Sequence, residues 1–213
     1  MVTEIVVYRT LPNITPEDHE GAATAAHRSI IARQPGFLRR TLGRVADQED
    51  AWVDVVQWQS ADHAQSAMKV AASDSSTGPW MGQIDMGRLS MHMLRTSAVI
   101  GLGDDALSDP GIGCWLVVSW KTKPHVDGQE HQVGSESVHR EILSKMAGYQ
   151  GAWLLRPVEG PEWFELIAWS DVGAAKSGIS EAMGSSDPSM STHLAEADEA
   201  TVAMHFVEPR IRV

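Results

Sequence analysis

The run Trp52-Val53-Asp54-Val55-Val56-Gln57-Trp58 has a twin in Trp163-Phe164-Glu165-Leu166-Ile167-Ala168-Trp169. Both read aromatic, apolar, acidic, apolar, apolar, small or polar, aromatic. Four further pairs keep the same order: Val6-Val7 with Val117-Val118, His27-Arg28 with His139-Arg140, Gly36-Phe37 with Gly148-Tyr149, and Met91-His92-Met93 with Met204-His205-Phe206. Their separation stays at about 112 residues throughout. Matches in one order at one offset are the mark of a tandem duplication, so whatever one half folds into, the other half should repeat. Between them Ser97 to Gly113 is rich in glycine and aspartate and has no sustained period, which is turn and linker chemistry. The expected organisation is a first unit at residues 1–97, a linker at 98–112 and a second unit at 113–213.

Hydrophobic period gives the elements of each unit. In the first, Glu4 to Thr10 is β-branched and apolar, as a buried strand should be. Thr15 is an N-cap candidate before Pro16, opening a helix expected to run to Arg33 and to stop at Gln34-Pro35-Gly36. Strands follow at Phe37 to Val45 and Ala51 to Trp58, then a helix capped by Ser60 as far as Ala72, a helical turn at Pro79-Trp80-Met81, and a strand from Leu89 to Leu94. The second unit repeats the order: strand Trp115 to Trp120, helix Gln129 to Ala147, a hairpin of Ala152 to Arg156 and Trp163 to Trp169 with its turn at Glu159-Gly160-Pro161, helix Asp171 to Met183, strand Thr201 to Val207.

The order βαββαβ with right-handed crossovers predicts an α+β fold of two ferredoxin-like repeats, each a four-stranded antiparallel sheet with its helices on one face. Side-chain alternation puts Trp52, Asp54, Val56 and Trp58 on one side of their strand and Val53, Val55 and Gln57 on the other. A sheet apolar on both faces needs two covers. The helices supply one, and the other repeat's sheet is expected to supply the second. That gives an intramolecular pseudo-dimer, a barrel enclosing one or two cavities. The rival arrangement has each unit meeting a second chain as a homodimer.

Composition narrows the function. With 17 basic against 28 acidic residues the net charge is -11, which disfavours a nucleic-acid partner because phosphates would be repelled. A single cysteine, Cys114, excludes an internal disulfide and cysteine-rich metal sites. The opening MVTEIVVYRT lacks the basic head and apolar stretch of a signal peptide, and no run approaches a membrane span, so a soluble cytoplasmic protein is expected. No Gly-x-Ser-x-Gly elbow is present, Gly101-Leu102-Gly103 lacks the third glycine of a dinucleotide fingerprint, and the nine histidines show no metal-ligand spacing. Neither metal nor cofactor is expected.

Histidines are the first candidates for proton transfer. His27 and His139 sit on the edge of a helical apolar stripe and read as structural, with a proton acceptor reaching the cavity rim as the alternative. His92 and His205 alternate with methionines in the closing strands; facing the barrel interior, they would serve as bases. The eight tryptophans are the unusual feature beside three phenylalanines and two tyrosines. Trp52, Trp58, Trp163 and Trp169 read as core or as platforms for a flat ligand, and Trp80 as a residue at the cavity mouth. Tyr8 and Arg9, on the first strand, are candidates for holding a phenolate.

The run Gln34-Pro35-Gly36-Phe37-Leu38, the strand end Val56-Gln57-Trp58-Gln59-Ser60 and the alanine-rich helix after it resemble antibiotic biosynthesis monooxygenase domains. Trp169-Ser170-Asp171 repeats the corner in the second unit. The resemblance implies the dimeric α+β barrel superfamily, whose members include cofactor-free oxygenases of polyketide quinone precursors, haem-degrading enzymes and isomerases. The haem-degrading pattern fails here: Tyr8 stands where its asparagine would, Ala67 where its helix tryptophan would, and no histidine lies between His63 and His92. In the second unit the same places hold Ser119 or Trp120, and Gly178. The reading is therefore a cofactor-independent monooxygenase of an aromatic or polyketide-like molecule, with His92, His205 and Arg9 catalytic. The alternatives are a small-molecule binding protein without turnover, or an isomerase or lyase.

Overall fold

The computed structural model describes residues 1–157 and 161–213. Glu159 and Gly160 of the expected hairpin turn lie outside the described residues. The chain forms two compact units, the first of residues 1–95 with 209–213, the second of residues 96–208.

In the first unit β1 (Val2–Arg9) leads to α1 (Pro16–Ser29), β2 (Phe37–Val45), β3 (Ala51–Trp58), α2 (Ala61–Ser73), the single turn α3 (Gly78–Met81) and β4 (Ser90–Ile100). The strand order is β4-β1-β3-β2, every pairing antiparallel. The last residues of the chain run beside β2, where Arg40 and Val213 exchange backbone hydrogen bonds of 2.8 and 3.0 Å. The Thr15 side chain accepts from the Asp18 amide and that of Ser60 from the His63 amide, so both caps act as their sequence suggests. α1 stops at Ser29, short of Arg33, and a 3-10 turn at Ile31–Arg33 completes it. Gln34 has to be extended because Pro35 follows it, and the chain tightens just before. Gly36 then turns back at φ +77 with the His63 ring against it, where no β-carbon would fit.

The second unit runs β5 (Cys114–Lys121), α4 (Gly128–Glu141), β6 (Tyr149–Pro157), β7 (Glu162–Trp169), α5 (Val172–Met183), α6 (Pro188–Glu196) and β8 (Ala203–Arg212). Its strand order is β8-β5-β7-β6, again antiparallel. α4 ends at Glu141 rather than Ala147, followed by a 3-10 turn and by Gly148 at φ +83. Helix α6 was not foreseen. Its capping signal is present, since the Asp187 carboxylate accepts from the Ser189 amide ahead of a first-turn proline, but only Met190 is buried and no apolar stripe announces the helix.

The segment expected to be a linker is structured. β4 continues to Ile100, a 3-10 turn occupies Ala106–Ser108, and Leu107 and Ile112 are buried. Among the described residues no helix is long and apolar enough to cross a membrane.

Each sheet is apolar on both faces, as the alternation predicts. Val2, Val6, Tyr8, Trp52, Val56 and Trp58 pack against Ala23, Ala26, Ala64 and Ala67 of α1 and α2, while Ile5, Val53 and Val55 on the opposite face are also buried. In the second unit Leu116, Val118, Trp120, Trp163, Ile167 and Trp169 meet Val138, Ala175 and Ala182, with Val117, Phe164 and Leu166 buried on the far side. Trp52, Trp58, Trp120, Trp163 and Trp169 thus stand on the helix face, and Trp115 and Trp153 on the other. Of the two readings, core or platform, their packing under the helices is that of core, with bulky indoles filling the gap left by small residues such as Ala23, Ala64, Ala67, Ala175 and Ala182.

Candidate functional site

A cavity of about 240 Å³ lies in the first unit between the sheet and the helices. Its wall is mostly apolar, including Met68, Met81, Ile84, Leu89 and Met91, and six lining residues carry polar side-chain atoms: Glu4, Tyr8, Gln34, Asp54, Trp58 and Trp80. Strand alternation puts Glu4 and Tyr8 on one face of β1, and the register sets Val6 opposite Asp54 and Tyr8 opposite Trp52.

Asp54 is neutralised from the next strand. Arg40, opposite Val56 in register and 0% exposed, donates from Nε to Oδ1 at 2.8 Å and from Nη2 to Oδ2 at 2.7 Å. This two-pronged geometry is the one a guanidinium needs to survive burial. The Trp80 ring lies 5.2 Å from the guanidinium carbon.

Glu4 has no such partner among the described residues. Burial pushes its carboxyl up to about 7, the Asp54 charge adds to the rise, and the Trp58 indole, donating to Oε2 at 2.8 Å, and Arg40 only partly oppose it. A carboxyl at neutral pH on an apolar wall is poised to exchange a proton.

Tyr8 is fixed differently. The Gln83 amide oxygen, 2.9 Å from His19 Nδ1, can only accept, so Nδ1 carries the proton and His19 Nε2 accepts from the Tyr8 hydroxyl at 2.8 Å. Burial holds His19 below the ordinary imidazole pKa and drives the Tyr8 phenol far up, so both are neutral. With its proton committed to His19, the Tyr8 oxygen has lone pairs to offer a donor. Trp80 Nε1 is buried and makes no full hydrogen bond among the described residues, though the Tyr8 oxygen lies within its reach.

The second unit has a smaller cavity of about 90 Å³ with different chemistry. In register, Glu165 takes the place of Asp54, Leu116 that of Glu4, Trp120 that of Tyr8 and Ala152 that of Arg40. Burial would raise the Glu165 carboxyl, but His139 Nε2 at 3.2 Å, the nearby His193 and the Ser135 hydroxyl together bring it down to about 2. Trp120 Nε1 can only donate, to His131 Nε2 at 3.1 Å, so His131 Nδ1–H donates to Glu196 Oε2 at 2.6 Å. Among the described residues His131, His193 and Glu196 are the one group whose imidazole and carboxylate atoms converge as metal ligands would.

Of the residues singled out from sequence, the structure brings Tyr8, Trp58 and Trp80 to the first cavity. Trp52 is fully buried beside it, its ring 4.7 Å from that of His19. Trp163 and Trp169 are core of the second unit; Trp163 carries the Arg156 guanidinium 4.4 Å above its ring. Arg9 does not reach the cavity: it holds the β2–β3 turn through Asp50 at 2.5 Å and Gln48 at 2.6 Å. His92 faces Ile5 and His205 faces Val117 in register, on the side of each sheet turned away from the helices, so neither lines the cavity under the helices of its unit. The reason is that the cavities lie under the helices, where Met91 and Met204 point. Glu4, Arg40, His19 and Gln83 were missed. A signal existed: Glu4, Arg40 and Asp54 are charges inside strands otherwise suited to burial, and such charges require partners.

No protein-family model matches the chain, and no curated protein matches it by sequence. Solved structures do. An anthrone oxidase-like protein aligns with a TM-score of 0.68 at 14% identity over 100% of this chain and 92% of its own. A Lactobacillus acidophilus protein provisionally assigned as a monooxygenase gives 0.63 at 8% identity over 100% and 95%. The chlorite dismutase of Candidatus Nitrospira defluvii gives 0.61 at 6% identity over 98% and 91%. These are dimeric α+β barrel proteins, and at such identities the likeness speaks for fold and not for chemistry. The chain has the fold of the dimeric α+β barrel superfamily.

Proposed function

We propose that the first unit's cavity is the active site of a cofactor-independent oxygenase acting on a flat, largely apolar carbon acid of the phenolic, polyketide-like kind. The observation that carries this reading is Glu4, a buried carboxyl poised at about 7 on the wall of the larger apolar cavity. The reading includes two ferredoxin-like repeats that arose by tandem duplication and form an intramolecular pseudo-dimer; the shared order of elements and the whole-chain likeness to barrel proteins support it.

In the reaction the Glu4 carboxylate takes a proton from an activated CH2, and the carbon's electron pair is stored as an enolate. Trp80 Nε1 donates to the enolate oxygen, and the Tyr8 oxygen accepts from a neighbouring substrate hydroxyl. The enolate passes one electron to dioxygen, and the carbon radical and superoxide combine in a C–O bond. Glu4 returns its proton to the outer oxygen, giving a hydroperoxide. Loss of water, with the second C–H proton and cleavage of the O–O bond, leaves a ketone, so CH2 and O2 become C=O and H2O. A dry wall keeps the enolate from being reprotonated by solvent.

Oxygen uptake with an anthrone-type probe tests this. Glu4→Gln should lower the rate at least about 100-fold, as loss of a general base does. Wild-type turnover should rise with pH through about 7 as Glu4 ionises. Solvent-proton exchange into the probe without oxygen consumption would favour an isomerase instead. Binding without exchange or uptake would favour a binding protein.

A further inference from the structure

The second unit holds a group that the oxygenase reading does not use. His131 lies in the first turn of α4, and His193 and Glu196 are three residues apart on α6, hence on one helical face. Their ligand atoms all fall within 4.8 Å of one another. His131 is fully buried, while His193 and Glu196 are half-buried and open the group toward solvent. His193 Nδ1 is buried without a hydrogen-bond partner among the described residues, so its lone pair is not committed to a donor there.

The first unit sharpens the point. There His19 Nδ1 bonds the amide of Gln83, a weak ligand; here His131 Nδ1 bonds the carboxylate of Glu196. Among the described residues no other three histidine, cysteine or acidic side chains converge in this way.

We propose that His131, His193 and Glu196 bind a divalent ion of the zinc type. Two imidazoles and a carboxylate suit borderline transition ions better than calcium or magnesium, which prefer all-oxygen cages. Three protein ligands leave the fourth tetrahedral position to water.

Binding requires two local changes. The ion takes the Nδ1 lone pair of His131, so the ring proton moves to Nε2 and the hydrogen bond from Trp120 Nε1 is given up. One neutral hydrogen bond costs about tenfold in affinity, small beside what three ligands supply. The His131 and His193 rings now stack, centroids 5.0 Å apart and planes 13° from parallel, and lone pairs lie in ring planes. His193 therefore turns out of the stack, with no bond at Nδ1 to hold it.

The full chain titrated with zinc by calorimetry should bind one ion with Kd at or below about 10 µM. Cobalt should give the intense visible bands of a tetrahedral site, and the fluorescence of Trp120 should change in step. His193→Ala and Glu196→Gln should each weaken binding at least tenfold. Glu196→Gln installs the residue of the first unit and keeps an acceptor for His131, so the fold is preserved. His125→Ala, at an exposed position, should bind as wild type does. Zinc should raise the melting temperature of wild type and not of His193→Ala. Absence of a saturable one-to-one site, or zinc affinity unchanged in both His193→Ala and Glu196→Gln, overturns the proposal.

Discussion

Both units bury a carboxylate at the middle of a central strand, and they neutralise it by different means. In the first, Asp54 is gripped by a guanidinium from the neighbouring strand β2. In the second, Arg40 gives way to Ala152, and Glu165 reaches past it to His139 and Ser135 on helix α4. A desolvated charge has to be paired, but the partner can come from the sheet or from the layer covering it. The choice decides what else the neighbourhood can do. With Arg40 committed to Asp54, Glu4 is left without a cation of its own and holds its proton to neutral pH. At the corresponding place in the second unit Leu116 has no proton to offer.

The comparison can be broken most severely at Arg40. Replacing it with methionine leaves Asp54 buried and unpaired, and should cost about 3–5 kcal/mol in urea unfolding. A loss below about 1 kcal/mol would mean that Asp54 is not held as described.

The two acids should respond to pH with opposite signs. Glu165, lowered from 4.5 to about 2, stabilises the fold above pH 4.5, a contribution lost as pH falls toward 2. Glu165→Gln should therefore cost about 3 kcal/mol at pH 7, and the difference should close in acid. Glu4, raised from 4.5 to about 7, is protonated in the fold where the unfolded chain is ionised. Its burial thus costs nothing at pH 4 and progressively more as pH rises to 7. Glu4→Gln should stabilise the protein by up to about 3 kcal/mol at pH 8 and by nothing at pH 4. A stabilising change that also abolishes turnover is the behaviour of a residue kept for chemistry.

The smallest effect belongs to Tyr8. Tyr8→Phe removes the donor to His19 Nε2 and should cost about 1 kcal/mol by the same unfolding measurement. Its larger consequence should be weaker binding of probes that carry a hydroxyl, with probes lacking one unaffected.

Much of the fold was legible. Thr15 and Ser60 announced their helices because capping needs only a short side chain at one position. The strand limits Phe37 to Val45 and Ala51 to Trp58 agree with expectation because alternation is a local pattern. α6 was not legible: Met190 is its one buried apolar residue, the His131–Glu196 bond and the His131–His193 stack that tie it to α4 are tertiary, and a cap without periodicity does not identify a helix. The site was half legible. Alternation grouped Trp52, Asp54, Val56 and Trp58 correctly, but the face they share looks toward the helices, where the cavity is. His92 and His205 were grouped correctly too, and belong to the other face.

Residue order by itself determined the elements, their sequence along the chain and the two faces of every strand, because each follows from the period of side chains within a few residues. It also placed Glu4, Asp54 and Glu165 in apolar strands. Which layer covers each face, which cation answers each buried acid, and where a carboxyl holds its proton were decided only by the tertiary structure. Desolvation and pairing depend on the atoms that surround a group in space, and for Glu4 those atoms come from β2, β3 and the loops beyond α2, dozens of residues away.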